Sequence, residues 1–62
     1  MRTKKYSIEL DGQEVSWYEV GERAMAIADF QHLARCQEYD VIELVDVIED
    51  VVIGSYVARL VA

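Results

Sequence analysis

The sequence predicts an α+β fold in the order ββαββ, with an antiparallel sheet and one helix packed on one face of it. Three observations predict this fold: an Asp-Gly pair between two alternating segments, an apolar stripe at helical spacing, and a final third rich in valine and isoleucine. The chain has 62 residues and no linker-like segment, so residues 1–62 are predicted to form a single small domain. The strand order stays open at this point.

The first hairpin is predicted within residues 6–18, around Asp11 and Gly12. A two-residue Asp-Gly loop is typical of hairpin turns in which both turn residues adopt positive φ. Regular pairing from this turn predicts three facing pairs on the core side of the hairpin: Leu10 with Gln13, Ile8 with Val15, and Tyr6 with Trp17. The opposite side would then be mostly polar and would carry Tyr18.

The helix is predicted from about Glu22 to Glu38, because apolar residues there recur at three- and four-residue steps. These residues form one stripe: Ala26, Ile27, Phe30, Leu33 and Ala34. Gly21 is a candidate N-cap, and Glu22 suits the positive end of the helix dipole. The stripe is expected to pack on the apolar side of the sheet.

The second hairpin is predicted within residues 41–62, with its turn at Glu49 and Asp50. Pairing from that turn predicts three facing pairs on one side: Val47 with Val52, Val45 with Gly54, and Glu43 with Tyr56. Six apolar residues would share the other side, against the helix: Ile42, Leu44, Ile48, Val51, Ile53 and Val57. Asp46 points inward in this register, which counts against the pairing unless a bulge turns it outward.

One helix covers only one face of a small sheet, so part of this apolar hairpin is predicted to remain exposed. An exposed apolar patch on a small protein usually marks an interface. We therefore predict a partner-binding surface with apolar contacts at its centre and a polar rim: Val45, Val47, Val52 and Tyr56, with Tyr18, Glu43 and Glu49. Its occupant is either a second copy of the chain, in a homodimer, or a different protein.

Charge excludes several classes of partner. Twelve acidic and six basic residues give a formal net charge of −6, so direct nucleic-acid binding and attraction to an anionic membrane are not predicted. No stretch is long enough to cross a membrane, and alternating residues rather than an apolar run follow the basic N-terminus. Cys36 is the only cysteine, which fits a reducing compartment. A cytoplasmic location is expected.

No enzymatic, cofactor or metal site is predicted. Asp29, His32 and Cys36 lie at helical spacing and resemble a cysteine nucleophile with its base and orienting acid. In catalytic sites, however, such groups converge from different elements onto a pocket. A metal shared between His32 and Cys36 of two chains is the alternative reading. The carboxylate pairs Glu9 with Glu14 and Glu49 with Asp50 are expected to be solvated.

The acidic residues suggest a second role, in which carboxylates imitate nucleic-acid phosphates and occupy a basic groove; plain solubility is the alternative. Its candidates lie on strands and at the helix end: Glu9, Glu14, Glu43, Glu49, Glu38 and Asp40. Residues 39–47 followed by 52–56 resemble the closing hairpin of many short bacterial and phage proteins. In size and acidity the chain resembles small phage anti-defence proteins, anti-CRISPR proteins among them.

That resemblance implies binding to a subunit of a Cas effector in the host cytoplasm, and it transfers no functional residue. The predicted function is a non-enzymatic protein-binding inhibitor or adaptor, which blocks a nucleic-acid-handling complex. The alternative is a structural homodimeric subunit with no inhibitory role.

Overall fold

The computed structural model describes residues 3–36 and 38–58. These residues form two hairpins and one helix in the predicted order: β1 Lys4–Leu10, β2 Gln13–Glu19, a 3₁₀ turn Val20–Glu22, α1 Arg23–Cys36, β3 Val41–Asp46 and β4 Val51–Val57. The strands form one antiparallel sheet in the order β2-β1-β3-β4. The α+β fold class is confirmed. The two hairpins meet through β1 and β3, and β2 and β4 are the edges.

Helix α1 packs on one face of the sheet and forms the core with it. The buried apolar residues come from three strands and the helix: Tyr6, Ile8, Tyr18, Ala26, Ile42 and Leu44. The rest of the predicted stripe packs against them, including Ile27, Phe30 and Leu33. Phe30 lies directly over Gly54, where an added Cβ would come within 3.1 Å of its ring. The missing side chain at Gly54 therefore lets the helix approach β4.

The start of the helix differs from the prediction. A side-chain hydrogen bond closes the 3₁₀ turn, since the Glu19 N–H donates to the Glu22 carboxylate at 2.9 Å. Gly21 lies inside that turn, so its prediction as N-cap is wrong.

A side-chain hydrogen bond also joins the helix to β2, because the Tyr18 hydroxyl donates to the Asp29 carboxylate at 2.7 Å.

The first hairpin has the predicted turn but only part of the predicted register. Asp11 and Gly12 adopt φ values of 52° and 89°, as a two-residue turn of this kind requires. Leu10 faces Gln13, and then a bulge at Val15 shifts the pairing so that three pairs follow: Ile8 with Ser16, Ser7 with Trp17, and Tyr6 with Tyr18. The extra residue reverses which face the later residues of β2 occupy.

This bulge corrects three predictions. Val15 and Trp17, expected in the core, are exposed. Tyr18, expected at the rim of the binding surface, is only 6% exposed. The exchange has a physical reason, because Tyr18 buries its ring and still satisfies its hydroxyl by donating to Asp29.

In the second hairpin the predicted register is wrong. The turn spans residues 47–50, and three pairs replace the predicted ones: Val45 with Val52, Leu44 with Gly54, and Ile42 with Tyr56. Tyr56 therefore lies on the helix side and packs against the core. Ile42 and Leu44 are buried as predicted. Three residues expected against the helix are instead exposed: Ile48, Val51 and Val57.

Asp46 explains the longer turn. Its Oδ1 accepts hydrogen bonds from the N–H groups of Ile48 and Glu49, at 3.1 and 3.0 Å. Its Oδ2 accepts one from Lys5 Nζ at 2.8 Å. Asp46 does point inward, as the predicted register required, but the partly buried Lys5 and two turn amides form hydrogen bonds with its carboxylate. An aspartate side chain that bonds to the backbone two and three residues later sets the turn.

Candidate binding surface

The sheet face opposite α1 is the candidate surface, and we call it the open face. Side chains alternate between the two faces of a strand, so residues adjacent to the core positions project from this face. It holds two rows and a terminal pair: the acidic row Glu14, Glu9, Glu43 and Ser55, the apolar row Trp17, Ser7, Val45 and Val52, and the pair Val41 with Val57. Within residues 3–36 and 38–58, no helix packs on it.

The acidic row places like charges in facing positions. Glu9 on the inner strand β1 faces Glu14 of β2 on one side and Glu43 of β3 on the other. Lys4 Nζ lies 2.6 Å from both carboxylate oxygens of Glu14 and offsets that charge. The carboxylates of Glu9 and Glu43 form no hydrogen bond or ion pair with any described residue. Among residues 3–36 and 38–58, no basic side chain therefore offsets these two adjacent carboxylates in the middle of the sheet.

Apolar side chains flank the acidic row on both sides. Val45 and Val52 face each other beyond one side of the row, and Val41 and Val57 face each other beyond the other. Val52 is 50% exposed and Val57 is 65% exposed, so half or more of each residue is open to contact. Trp17 extends the apolar row at the β2 edge. The open face thus offers carboxylates between two apolar strips.

Ser7 lies in the middle of the apolar row, between Trp17 and Val45. It is completely buried, and its hydroxyl oxygen has no hydrogen-bond partner among the described residues. An unsatisfied buried hydroxyl costs about 1–3 kcal/mol. A serine here has no stabilising role that the structure shows.

The structure brings together only part of the predicted binding surface. Val45, Val52 and Glu43 share the open face. Val47 and Glu49 lie in the exposed turn after β3, beyond the two rows. Tyr56 and Tyr18 lie on the helix side, so their predicted positions on an outer surface are wrong. Sequence reasoning missed Trp17 and Val57, because the bulges that reverse the faces of β2 and β4 carry no clear sequence signal. It also left out Val41, which lay on the side of Glu43 and Val45 in the predicted register as well.

The Asp29, His32 and Cys36 group does not assemble as a catalytic triad. Asp29 accepts the Tyr18 hydroxyl hydrogen bond, while Cys36 Sγ lies 3.9 Å from His32 Nε2 at an exposed position. Across residues 3–36 and 38–58, no group of three acidic, histidine or cysteine side chains is placed to hold a metal ion. No cavity of ligand size opens among them either.

The shifted pKa values belong to structural contacts. The hydrogen bond from Lys5 lowers the pKa of Asp46, and the same bond raises the pKa of Lys5. Burial raises the pKa of Tyr18, and the nearby Asp29 carboxylate adds to the effect. These groups join β1 to the β3–β4 turn and β2 to the helix. None of the three lies in the two rows of the open face.

Comparison with known proteins finds no matching family model, no matching curated protein and no matching solved structure. No helix among the described residues is long and apolar enough to cross a membrane. The case for function therefore depends on the open face and on the chemistry of its two rows.

Proposed function

We propose that the protein is a non-enzymatic inhibitor or adaptor that binds a basic protein surface against its open face. One observation carries the proposal: the acidic row, in which Glu9 faces both Glu14 and Glu43 between two apolar strips. The partner proposed is a protein that handles nucleic acid, because such proteins carry the basic surfaces that these carboxylates complement. A Cas effector belongs to that class.

The acidic row opposes stability, which supports a functional role. Like charges at directly facing positions of a sheet are destabilising, and favourable facing pairs contribute about 0.2–1 kcal/mol. A protein that needed charge only for solubility could place carboxylates anywhere on its exterior. Residues that lower the stability of the fold are expected at functional sites, where binding or catalysis requires them. The central position of Glu9 fits a surface kept for binding.

The geometry suits basic side chains from a partner. Neighbouring strands lie about 4.8 Å apart, so the carboxylates of three adjacent strands span about 10 Å. Arginine or lysine side chains could bind between them, while Trp17 and the exposed valines supply apolar contact. Electrostatic attraction would speed association and weaken with salt.

A homodimer packed through the open face fits less well. Two copies facing each other would bring two acidic rows together, and each chain carries a formal charge of −6. Like charges juxtaposed across an interface oppose association. The structural homodimer therefore remains an alternative only through another surface.

The test compares two double variants that lose the same charge. Glu9→Gln with Glu43→Gln neutralises the middle of the acidic row. Glu38→Gln with Glu49→Gln removes two exposed carboxylates from the helix end and the turn. Each tagged protein is used to capture partners from a bacterial lysate at low and high salt, and the recovered partner is then purified and titrated.

We expect a salt-sensitive partner that binds the wild type and the Glu38/Glu49 variant, and that binds the Glu9/Glu43 variant at least about tenfold more weakly, a loss of about 1.4 kcal/mol. The Glu9/Glu43 variant should also be more stable in urea by about 0.5 kcal/mol, because facing charges are removed. Equal binding by the two variants would show that net charge alone acts. A partner indifferent to salt and to both variants would overturn the proposal.

A further inference from the structure

Strand β4 differs in charge from the other strands of the sheet. Each of the other three described strands contains at least two charged residues, while β4, Val51–Val57, contains none and has no proline. It is also an edge strand, since only β3 pairs with it among the described strands. A long uncharged edge is a template for pairing with another chain.

The opposite edge is protected in the usual ways. Strand β2 carries Glu14 and Glu19, and its bulge at Val15 interrupts the regular ladder. Charges and bulges on edge strands discourage pairing with other chains. Strand β4 also has an irregular pair near Ile53, but Gly54–Val57 pairs regularly with β3. The unprotected part of the sheet edge is thus this C-terminal half of β4.

The backbone there is oriented for pairing. The Ala58 N–H donates to the Asp40 carbonyl at 2.7 Å, so Ala58 turns its backbone groups toward the β3 side. Antiparallel strands alternate the direction of these groups along the chain. The N–H and C=O groups of Val57 and Ser55 therefore point away from β3, toward the free edge.

We propose that β4 pairs antiparallel with β4 of a second copy, forming a two-fold dimer with one continuous eight-stranded sheet. Charge selects the second copy and the place of contact. Two chains of formal charge −6 repel each other, and β4 is the only described strand through which they can meet without bringing ionised side chains together. An isologous contact uses the same patch on both copies, as a strand paired with itself does.

This dimer goes beyond the proposed function and does not depend on it. The two open faces would lie side by side in one sheet, with both acidic rows exposed and neither buried. A chain of this length buries only about 60% of its unfolded surface, so pairing at an edge would also add stability. The contact uses the backbone edge of β4 and leaves the acidic row of the open face exposed.

The test uses a matched pair of substitutions on the two edges. Val57→Lys puts a charge on β4 at a side chain that is 65% exposed, and Val15→Lys makes the same change on β2 at one that is 52% exposed. Sedimentation velocity over a wide concentration range gives the dissociation constant of each protein. Circular dichroism checks that both variants fold.

We expect a dimer for the wild type and for Val15→Lys, and at least about tenfold weaker dimerisation for Val57→Lys. Amide hydrogen exchange of the wild type should show concentration-dependent protection of Ser55 and Val57. A monomer at all concentrations would overturn the proposal. A dimer that Val57→Lys leaves intact would also overturn it. So would a dimer in which the amides of Ser55 and Val57 stay unprotected, because such a dimer would associate through a face of the sheet and not through the β4 edge. None of these three results decides whether a partner binds through Glu9 and Glu43.

Discussion

The two hairpins reach the same antiparallel pairing by different means. In β1–β2 the backbone sets the turn, with positive φ at Asp11 and Gly12. In β3–β4 Asp50 also adopts positive φ, at 57°, but a side chain holds the turn as well, because Asp46 accepts hydrogen bonds from two turn amides and from the ammonium group of Lys5. The first hairpin has charge on its outer strand, and the second has charge only on its inner strand. The first turn can be recognised from two adjacent residues, whereas Asp46 in the second also forms a partly buried ion pair with Lys5, a residue 41 positions away.

The largest expected effect concerns the centre of the second hairpin. Gly54→Val should destabilise the fold by about 1–3 kcal/mol, because the new side chain would meet the Phe30 ring. A Cβ at this position would lie 3.1 Å from one ring carbon and 3.3 Å from another. Urea unfolding followed by circular dichroism measures the change.

Gly21→Ala is the control for that substitution. A Cβ at Gly21 meets nothing within 4 Å, so the change in the free energy of unfolding should be small or slightly favourable. Equal losses at both glycines would mean that Phe30 does not lie over Gly54.

The second prediction compares two ion pairs, one that joins the two hairpins and one within the first hairpin. The Lys5–Asp46 side chains are 19% and 10% exposed, and those of Lys4–Glu14 are 41% and 38% exposed. The hydrogen bond from Lys5 lowers the folded-state pKa of Asp46. The ionised Asp46 carboxylate therefore stabilises the fold at pH values above the unfolded-state pKa of about 3.9. This contribution is lost as pH falls through the lower folded-state pKa.

Asp46→Asn should accordingly lower stability at neutral pH and flatten the loss of stability as pH falls below about 4. The effect should be smaller than that of Gly54→Val, since the amide oxygen can still accept the turn hydrogen bonds. Glu14→Gln should change the free energy of unfolding at neutral pH by less than about 1 kcal/mol, because exposed ion pairs contribute little. Urea titrations at neutral and acid pH measure the stability of the proteins, and an acid limb in Asp46→Asn identical to that of the wild type would contradict the assignment.

Strand β1 pairs with β2 of the first hairpin and with β3 of the second, and it contains the unsatisfied hydroxyl of Ser7. Ser7→Ala should raise the free energy of unfolding by about 1 kcal/mol, or Tm by about 4–8 °C, because it removes an unsatisfied buried hydroxyl. Thermal unfolding measures the gain. A loss of stability instead would show that the hydroxyl has a hydrogen-bond partner.

Much of the fold could be predicted from local signals. The Asp11-Gly12 turn, the stripe around Ala26 and Phe30, and the burial of Ile42 and Leu44 depend on spacing within one element, which a sequence displays directly. The bulges could not be predicted, because a bulge depends on which residue satisfies a contact elsewhere, as Tyr18 does with Asp29. A bulge of one residue reverses a whole strand face. The candidate surface therefore kept Val45, Val52 and Glu43 and lost the two tyrosines.

The smallest expected effect tests that reversal directly. Val15→Thr should change the free energy of unfolding by less than about 0.5 kcal/mol, because the bulge holds this side chain outside. In the regular register Val15 would face Ile8 in the core, and a buried hydroxyl there would cost about 1–3 kcal/mol. Ile8→Val provides the contrast, since loss of one methyl from a completely buried residue should cost about 0.5–1.5 kcal/mol. If Val15→Thr proved the more damaging of the two in urea unfolding, the regular register would be right. Trp17 would then leave the open face, and Tyr18 would take its place there.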